Sequence, residues 1–346
     1  MAANLYLHIG MPKTGTSLIQ AVLARMREVL AAQGVWTAPS AVGAHRLAVA
    51  ATPEDDPIQR RADFVDIKAA MPLADALEQP RAATAEYGTV ILSSEYFSEC
   101  NPRLLKELLR ASGIATAGVS IVVALRRQDR ILVSGFNQDV KALNRTKPLA
   151  WTPSATDRHD WYARLAPWAE EFGKSAIKVQ IFDRAVAGEQ SLTALLLDAC
   201  GIRYKATLVR QHEERLRRAE NRSLPAELLA FKFFANAVTR QGELDWLIDE
   251  ALARRVGSAS YHLDPATVRR MIEHYRMSNH RVAVEYLGES GDLFDERVDE
   301  NAKTLLTVSP ATIAVLLAMC ATELERLRAQ TKKGANEHSG TANSVV

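Results

Sequence analysis

The chain has 346 residues, of which 47% are hydrophobic and 24% charged, and its formal net charge is +2. With 17 glycines and 13 prolines, this composition excludes collagen-like, low-complexity and wholly disordered chains. The small net charge provides no overall basic field that would favour a nucleic-acid partner, although a local anion site stays open. The length corresponds to about two structural units, or to one large α/β domain with additions.

Cysteine usage and the apolar runs indicate the compartment. The three cysteines, Cys100, Cys200 and Cys320, lie far apart with no CxxC pair, which disfavours a disulfide framework or a zinc knuckle. The opening MAANLYLHIG reaches a glycine turn too early for a signal peptide, and no apolar run has the length of a bilayer span. We therefore expect a cytoplasmic protein without a transmembrane segment.

Short apolar runs followed by turn residues predict the strands of a parallel sheet buried on both faces. They are Leu5–Ile9, Thr89–Leu92, Val119–Leu125 and Ile177–Phe182. The predicted fold class is α/β, a central parallel sheet flanked by helices, with helical C-terminal additions.

The predicted organisation follows the same periodicity. Residues 1–185 form the α/β core, with an irregular insertion of short helices over about 40–80. Residues 186–330 form a mainly helical part of the same domain, with helices expected over 190–200, 225–255, 265–287 and 309–330. The polar segment 331–346 is expected to be a disordered tail.

A phosphate-type loop follows the first strand. Gly10, four residues, Gly15 and then Thr16 keep the spacing of a nucleotide P-loop, but Thr16 replaces the usual lysine and Lys13 stands inside the loop. Glycine backbone, a helix N-terminus and a lysine charge together favour an anion, and Thr16 or Ser17 can cap the helix. The alternative is a simple strand–turn–helix corner with a surface lysine. The residues predicted to bind the anion are Pro12, Lys13, Thr14, Gly15, Thr16 and Ser17.

A second candidate anion site follows the third predicted strand. Arg126 stands at the carboxyl end of that strand, where ligands sit in open α/β sheets. Ser134 lies inside the helix that begins near Asp129, and a guanidinium with a hydroxyl makes a good phosphate clamp. Arg127 replaces Arg126 in this role if the strand ends one residue later. The alternative is that these arginines are surface charges capping a strand.

Glu95 is the leading candidate for a general base. It follows the second predicted strand, so it is expected at the same sheet edge as the two anion sites. A structural alternative is a carboxylate that favours a helix N-terminus after Ser93 or Ser94. His45, in the insertion, is the second candidate because a histidine pKa suits base chemistry. The remaining histidines do not form metal-ligand spacing, and we expect no metal.

The loop Pro12–Ser17, directly after an N-terminal strand, resembles the 5′-phosphosulfate loop of sulfotransferases, which use 3′-phosphoadenosine 5′-phosphosulfate (PAPS). Arg126 and Ser134 resemble that family's 3′-phosphate clamp. The segment around Glu95 resembles that of sulfotransferases with a glutamate base, including the glycosaminoglycan N-sulfating type. The resemblance covers about residues 5–17, 93–95 and 119–134. Gln128 and Phe136 depart from it, since many relatives carry proline and tyrosine there.

The resemblance implies a P-loop-like sulfotransferase that moves a sulfuryl group from PAPS to an acceptor without a metal. PAPS would bind between the loop and the Arg126 and Ser134 pair. Glu95 would take the acceptor proton, and Lys13 would stabilise the leaving phosphate. The acceptor is expected to carry a hydroxyl or an amine, as a glycan or a small alcohol does. Other classes stay open: a nucleotide kinase with an unorthodox P-loop, and a non-catalytic nucleotide-binding protein.

Residues 203–222 form a basic stretch with a net charge of +4 that ends at Asn221-Arg-Ser. It loosely resembles a loop that bacterial sulfotransferases place near the donor. A solvated helix face with ion pairs along the helix is the favoured interpretation.

Overall fold

The computed structural model describes residues 3–154, 158–219 and 223–341. Its centre is a parallel five-stranded sheet in the order β2-β3-β1-β4-β5, which confirms the predicted α/β class. The strands are β1 (Asn4–Ile9), β2 (Val35–Thr37), β3 (Thr89–Ser94), β4 (Ser120–Leu125) and β5 (Ile177–Ile181). The sequence analysis missed β2 because a three-residue strand carries too little alternation to be recognised.

Helices connect the strands and continue after the last one. In the first part of the chain they are α1 (Thr16–Ala31), α2 (Val42–Ala50), α3 (Ala62–Ala70), α4 (Leu73–Glu86), α5 (Pro102–Ala111), α6 (Gln128–Ala142) and α7 (Trp161–Phe172). After β5 they are α8 (Phe182–Ala187), α9 (Leu192–Ala199), α10 (Ala206–Ala219), α11 (Ala226–Ala235), α12 (Asp245–Ala253), α13 (Pro265–Val282) and α14 (Pro310–Thr341). Short 3₁₀ segments at Pro57–Arg60, Glu95–Ser98 and Lys174–Ala176, and a π-helical turn at Ala283–Leu287, complete the regular structure.

Two observations refine the predicted elements. The region 40–80 contains α2, α3 and the start of α4, so it is largely helical. The last helix runs to Thr341, through most of the segment expected to be a disordered tail, and residues 342–346 lie outside the described part. None of the helices in the described ranges is both long enough and apolar enough to cross a membrane.

Successive residues of each strand point to opposite sides of the sheet. Because most of these residues are apolar and buried, both faces of the sheet are apolar. On one face, Leu92 and Val123 join a core with residues of α2, α5 and α7. On the other face, Ile91 and Val122 pack with α1 and α9. The helices of the two faces therefore enclose the sheet, which is the arrangement expected of parallel strands.

The chain divides into two compact units that alternate along the sequence. One unit comprises Met1–Ile131, Trp151–Asn221 and Ala266–Val298 and contains the sheet. The other comprises Leu132–Ala150, Arg222–Pro265 and Asp299–Val346, and its core includes Phe136, Leu229 and Leu316. The sequence analysis did not anticipate this alternation, since helical periodicity marks a buried face without identifying its neighbour.

Strand register sets the position of the residues that follow. β1 pairs with β3 so that His8 lies opposite Ser93 and Ile9 opposite Ser94. Because the strands are parallel, their carboxyl ends meet at the same sheet edge. The loop that begins at Gly10 and the segment that begins at Glu95 are therefore neighbours.

Candidate functional site

Gly10 lets the loop after β1 pass directly over the end of β3. Its N–H donates a 2.9 Å hydrogen bond to the carbonyl oxygen of Ser94. A Cβ atom at this position would lie 2.5 Å from the Thr16 side chain and 2.9 Å from the Cα of Glu95. No other residue fits this space without displacing one of these neighbours, so the loop and the Glu95 backbone are held in contact.

The backbone conformation of the loop is constrained at three successive residues. Lys13 adopts a left-handed conformation with φ 61°, which costs a non-glycine residue about 1 kcal/mol. The Thr14 hydroxyl donates a 2.7 Å hydrogen bond to the Met11 carbonyl and closes the turn. Gly15, with φ 83°, is needed both for this conformation and because a Cβ would lie 2.5 Å from Leu192 of α9.

The first turn of α1 is part of the predicted anion site. Gly15 is the N-cap residue and supplies no side-chain hydrogen bond, so the sequence-based assignment of the cap to Thr16 or Ser17 is wrong. Both residues already lie within the helix, where a side chain no longer occupies the cap position. Thr16 is buried, and its hydroxyl oxygen has no hydrogen-bond partner among the described residues. The helix dipole and the uncapped N–H groups give this end a partial positive charge.

Arg126 brings a guanidinium to the loop. Its Nη1 donates a 3.0 Å hydrogen bond to the carbonyl oxygen of Lys13, and its Cζ lies 4.8 Å from the centre of the Phe182 ring. Its Nε is buried and has no hydrogen-bond partner in the described part of the chain. Burial lowers the pKa of Arg126, and the carboxylates of Asp183 and Asp129 oppose this effect only in part.

Arg127, the alternative to Arg126, is engaged elsewhere. Its guanidinium forms an ion pair with Asp129 at 2.7 Å and donates to the carbonyl oxygens of Asp295 and Arg297. Its backbone N–H donates to the Asp183 carboxylate at 2.7 Å. Among the described contacts, Arg126 donates to the loop and Arg127 donates to residues elsewhere, so Arg126 remains the residue that we predict to bind the phosphate.

The other residues of the predicted donor site differ in their surroundings. Pro12 and Ser17 are exposed on the loop surface, and Lys13 is half-buried. Ser134 is half-buried in α6 and belongs to the second unit, whereas Arg126 belongs to the first. Its role remains a prediction. Asn221 and Arg222 of the predicted donor loop lie outside the described residues.

Glu95 begins the 3₁₀ segment directly after β3, and its side chain is 42% exposed. Its Oε2 lies 3.4 Å from Nε2 of Gln20 and 3.8 Å from Nε2 of His45. Gln20 belongs to α1 and His45 to α2, the helices that cover opposite faces of the sheet. The carboxylate therefore lies at the sheet edge between one neutral donor and one imidazole.

The proton on His45 can be assigned by accounting for hydrogen bonds. Nδ1 of His45 lies 2.8 Å from the Ser94 hydroxyl oxygen, which already accepts the Tyr96 N–H at 3.1 Å. Ser94 is fully buried, and among the described residues His45 is the partner left for its hydroxyl proton. We therefore assign Nδ1 as the acceptor of that proton, which places the ring proton of neutral His45 on Nε2, the nitrogen nearest to Glu95.

Burial disfavours the charged form of His45. Burial lowers the pKa of His45, and the Glu95 carboxylate opposes this effect by favouring the protonated ring. The edge of the ring also packs against Tyr96 with centroids 4.9 Å apart. The sequence analysis gave Glu95 and His45 as alternative candidates for the general base. In the structure the two side chains are neighbours, with His45 Nε2 3.8 Å from Glu95 Oε2.

Gln20 and His8 were not identified from the sequence. Nε2 of Gln20 also donates to the Ser93 carbonyl at 3.1 Å, while Nδ1 of His8 lies 2.8 Å from the Ser93 hydroxyl oxygen. His8 is fully buried, and desolvation lowers its pKa to about 4. It is therefore neutral and supports Ser93. A helical glutamine and a strand histidine have no distinguishing sequence signal, because only the strand register brings them to this edge.

Trp161 and the basic stretch 203–222 make separate contacts. Trp161 is buried and donates from its indole Nε1 to the Arg126 carbonyl at 3.1 Å, so it supports the strand end. In the basic stretch, Glu213 is buried and accepts from the Ser191 hydroxyl at 2.7 Å. Within residues 3–154, 158–219 and 223–341, no group of three or more His, Cys, Asp or Glu side chains is placed to hold a metal ion.

No family model matches the sequence. An uncharacterized protein of Archaeoglobus fulgidus is 29% identical over 203 residues, which are 58% of this chain and 54% of that protein. The chain therefore matches about half the length of this curated relative.

Two solved structures resemble this chain, both with low TM-scores. A sulfotransferase from Alicyclobacillus acidocaldarius gives a TM-score of 0.39 at 13% identity over 68% of this chain and 93% of its own. A mouse sulfotransferase complexed with PAP gives a TM-score of 0.36 at 12% identity over 64% of this chain and 68% of its own. Neither similarity is high enough for a residue role or an activity of those proteins to be assigned to this chain.

We predict that Gly10→Ala destabilises the protein by about 1–3 kcal/mol, because its methyl group would overlap Thr16 and the Glu95 backbone. Gly135→Ala is the control, since nothing lies within 4 Å of a Cβ in that helical position. Urea unfolding should show a lower midpoint for the first variant and an equal or higher midpoint for the second. Equal stability of Gly10→Ala and the wild type would contradict the close approach.

We also predict that neutral His45 carries its proton on Nε2. Long-range ¹H–¹⁵N correlation spectra of the imidazole report this directly. In Glu95→Gln the pKa of His45 should fall, because the carboxylate that favours the protonated ring is gone. The exposed control Glu86→Gln should leave it unchanged. A ring protonated on Nδ1, or a His45 pKa that rises in Glu95→Gln, would disprove the assignment.

Proposed function

We propose that this chain is a sulfotransferase that takes the sulfuryl group from PAPS and transfers it to a hydroxyl or amine. The observation that carries the proposal is the arrangement at one sheet edge: an anion-type loop, a half-buried arginine after β4 that donates a hydrogen bond to that loop, and a partly exposed carboxylate beside it. An α/β sheet edge with these three parts matches a ligand that carries phosphate and delivers a group to a nucleophile.

The residues present fit the donor chemically. The buried Thr16 hydroxyl and the Arg126 Nε are polar groups that the described residues leave without a hydrogen-bond partner, and both belong to the proposed anion site. A phosphate or phosphosulfate oxygen satisfies groups of this kind. Pro12 to Ser17 would hold the phosphosulfate end. Arg126 and Ser134 would hold the 3′-phosphate, with Ser134 retained on the family resemblance alone.

The chain's own groups supply the acid–base chemistry. When bound, PAPS supplies the sulfuryl group and leaves as PAP, the desulfated product. Glu95 accepts the proton of the acceptor as the new bond to sulfur forms and the bond from sulfur to the phosphate oxygen breaks. Lys13 and the N–H groups of the first turn of α1 offset the negative charge that develops on the departing phosphate.

His45 and Gln20 position the base in this scheme. Nε2 of Gln20 donates to Oε2 of Glu95 at 3.4 Å and Nε2 of His45 lies 3.8 Å from the same oxygen, so both side chains place polar hydrogens near the carboxylate. His45 holds its own proton on the side facing Glu95 and so is not available there as a base. Glu95 is therefore the base that we assign, and His45 is its positioning partner.

We expect Arg126→Ala to weaken PAP binding by about 30- to 1,000-fold, the cost of removing one buried charged partner. Calorimetric titration with PAP, alongside ATP plus magnesium, measures this. Arg126→Lys should retain part of the affinity because it keeps the charge. Arg103→Ala is the control, since Arg103 is exposed in α5 and pairs with Glu107 of the same helix.

The titration also separates the functional classes. Binding of ATP with magnesium but not of PAP would replace the proposal with a nucleotide kinase. PAP binding that is unchanged in Arg126→Ala would show that the donor site is assigned to the wrong residue. Tight PAP binding without transfer to any acceptor would identify a non-catalytic binding protein.

We expect Glu95→Gln to lower turnover by about 10²- to 10⁴-fold with PAP affinity unchanged, because the substitution removes the base but not the anion site. The assay is transfer of ³⁵S from labelled PAPS to a panel of monosaccharides, phenols, primary alcohols and amines. Glu86→Gln, with an exposed side chain in α4, is the matched control. Full turnover in Glu95→Gln together with loss of turnover in His45→Ala would identify His45 as the base.

A further inference from the structure

One face of α14 is apolar and exposed. Its large side chains are 45% exposed at Ile313, 63% at Leu317, 47% at Leu324 and 46% at Leu327, and Cys320 is an exposed free cysteine between them. Single exposed apolar residues are ordinary on protein surfaces. An unbroken row of exposed apolar residues along one helix is unusual, and it marks an interaction surface.

A neighbouring face of the same helix is already used. Thr312, Leu316 and Met319 are buried, and the two apolar side chains belong to the core of the second unit. That face anchors the first three turns of the helix. Beyond Met319, every side chain up to Gln330 is exposed except the half-buried Glu323. The apolar side chains of the row are therefore largely exposed to solvent.

The spacing of the row is that of a coiled-coil seam. From Ile313 onward the intervals alternate between four and three residues, which is the heptad repeat. In this repeat Leu317 and Leu324 take the a positions, and Ile313, Cys320 and Leu327 take the d positions. Leucine and isoleucine at these positions pack as knobs into the holes of a facing helix.

The charges beside the seam select the partner. Glu323 takes a g position and Arg328 takes the following e position. In a parallel pair of identical helices, g of one helix faces the following e of the other, so Glu323 of each copy meets Arg328 of the other copy. The twofold axis repeats this contact. Glu323 already pairs with Arg326 of its own helix at 2.6 Å, which orders its carboxylate near the seam.

We propose that α14 pairs in parallel with α14 of a second copy of this chain, through the seam formed by Ile313, Leu317, Cys320, Leu324 and Leu327. The seam covers about two heptads, which bury less than the ~800 Å² per partner of a standard interface. Self-association is therefore concentration-dependent and reversible. The inference rests on residues outside the proposed active site, and its test requires no substrate.

Sedimentation equilibrium of the full chain tests the surface. The wild type is expected to form dimers as its concentration rises through the micromolar range, and Leu317→Glu/Leu324→Glu is expected to stay monomeric. Neither leucine belongs to the core cluster of the second unit, so the variant should keep the wild-type circular dichroism spectrum. Thr322→Glu, at the f position of the same helix, is the matched control and should dimerise like the wild type.

Charge reversal tests the choice of partner. Glu323→Arg and Arg328→Glu should each weaken dimerisation, because each places like charges opposite one another. The double variant Glu323→Arg/Arg328→Glu should restore it, since the pairs are complementary again. Equal mixtures of the two single variants should also associate. Loss of dimers in the double variant would remove the basis for a second copy as the occupant.

Cys320 reports the orientation. In a parallel, in-register pair the two Cys320 side chains face each other at a d position, so mild oxidation should give a disulfide-linked dimer on non-reducing gels. Cys320→Ser and Leu317→Glu/Leu324→Glu should abolish this dimer, because Cys100 and Cys200 are buried. A wild type that stays monomeric, dimers that survive Leu317→Glu/Leu324→Glu, or dimers without a Cys320 cross-link would each overturn the proposal.

Discussion

The hydrogen bond from the Gly10 N–H to the Ser94 carbonyl is the contact on which the candidate site depends. It continues the parallel pairing of β1 and β3 one residue beyond the last strand pair and brings the loop over the end of β3. Thr16 and the Glu95 backbone can approach Gly10 this closely only because glycine has no side chain. The turn that we propose to bind the anion and the Glu95 carboxylate are adjacent because these two backbones are in contact.

The polarity of the sheet edge follows from the alternation of strand side chains. Ser93 and Ser94 end β3 where its earlier residues are apolar, and as neighbours they point to opposite faces. Ser93 therefore supports Gln20 and His8 on one face, and Ser94 supports His45 on the other. Two polar residues at the end of a buried strand thus organise hydrogen bonds on both sides of Glu95 without interrupting the apolar core below.

The two compact units differ in what they contain. The unit with the sheet holds the loop, Arg126 and the Glu95 cluster, which together account for the proposed chemistry. The second unit is helical within the described residues, and its last helix serves two purposes through two of its faces. One face completes a local core, while the adjacent heptad row is exposed. The proposed catalysis and the proposed self-association therefore involve separate side chains.

The sequence by itself determined the fold class, the four longer strands, the phosphate-type loop and the strand-end positions of Glu95 and Arg126. These are local signals: apolar runs, glycine spacing and the residue that follows a strand. The tertiary structure alone decided which arginine contacts the loop, since Arg126 and Arg127 are adjacent in sequence but enter different surroundings. It also decided that Gln20, His45 and Glu95 form one cluster, that Gly15 caps α1 and that the two units alternate along the chain. These features depend on contacts between residues far apart in the chain. Such contacts are set by strand register and helix packing, which no local pattern of residues encodes.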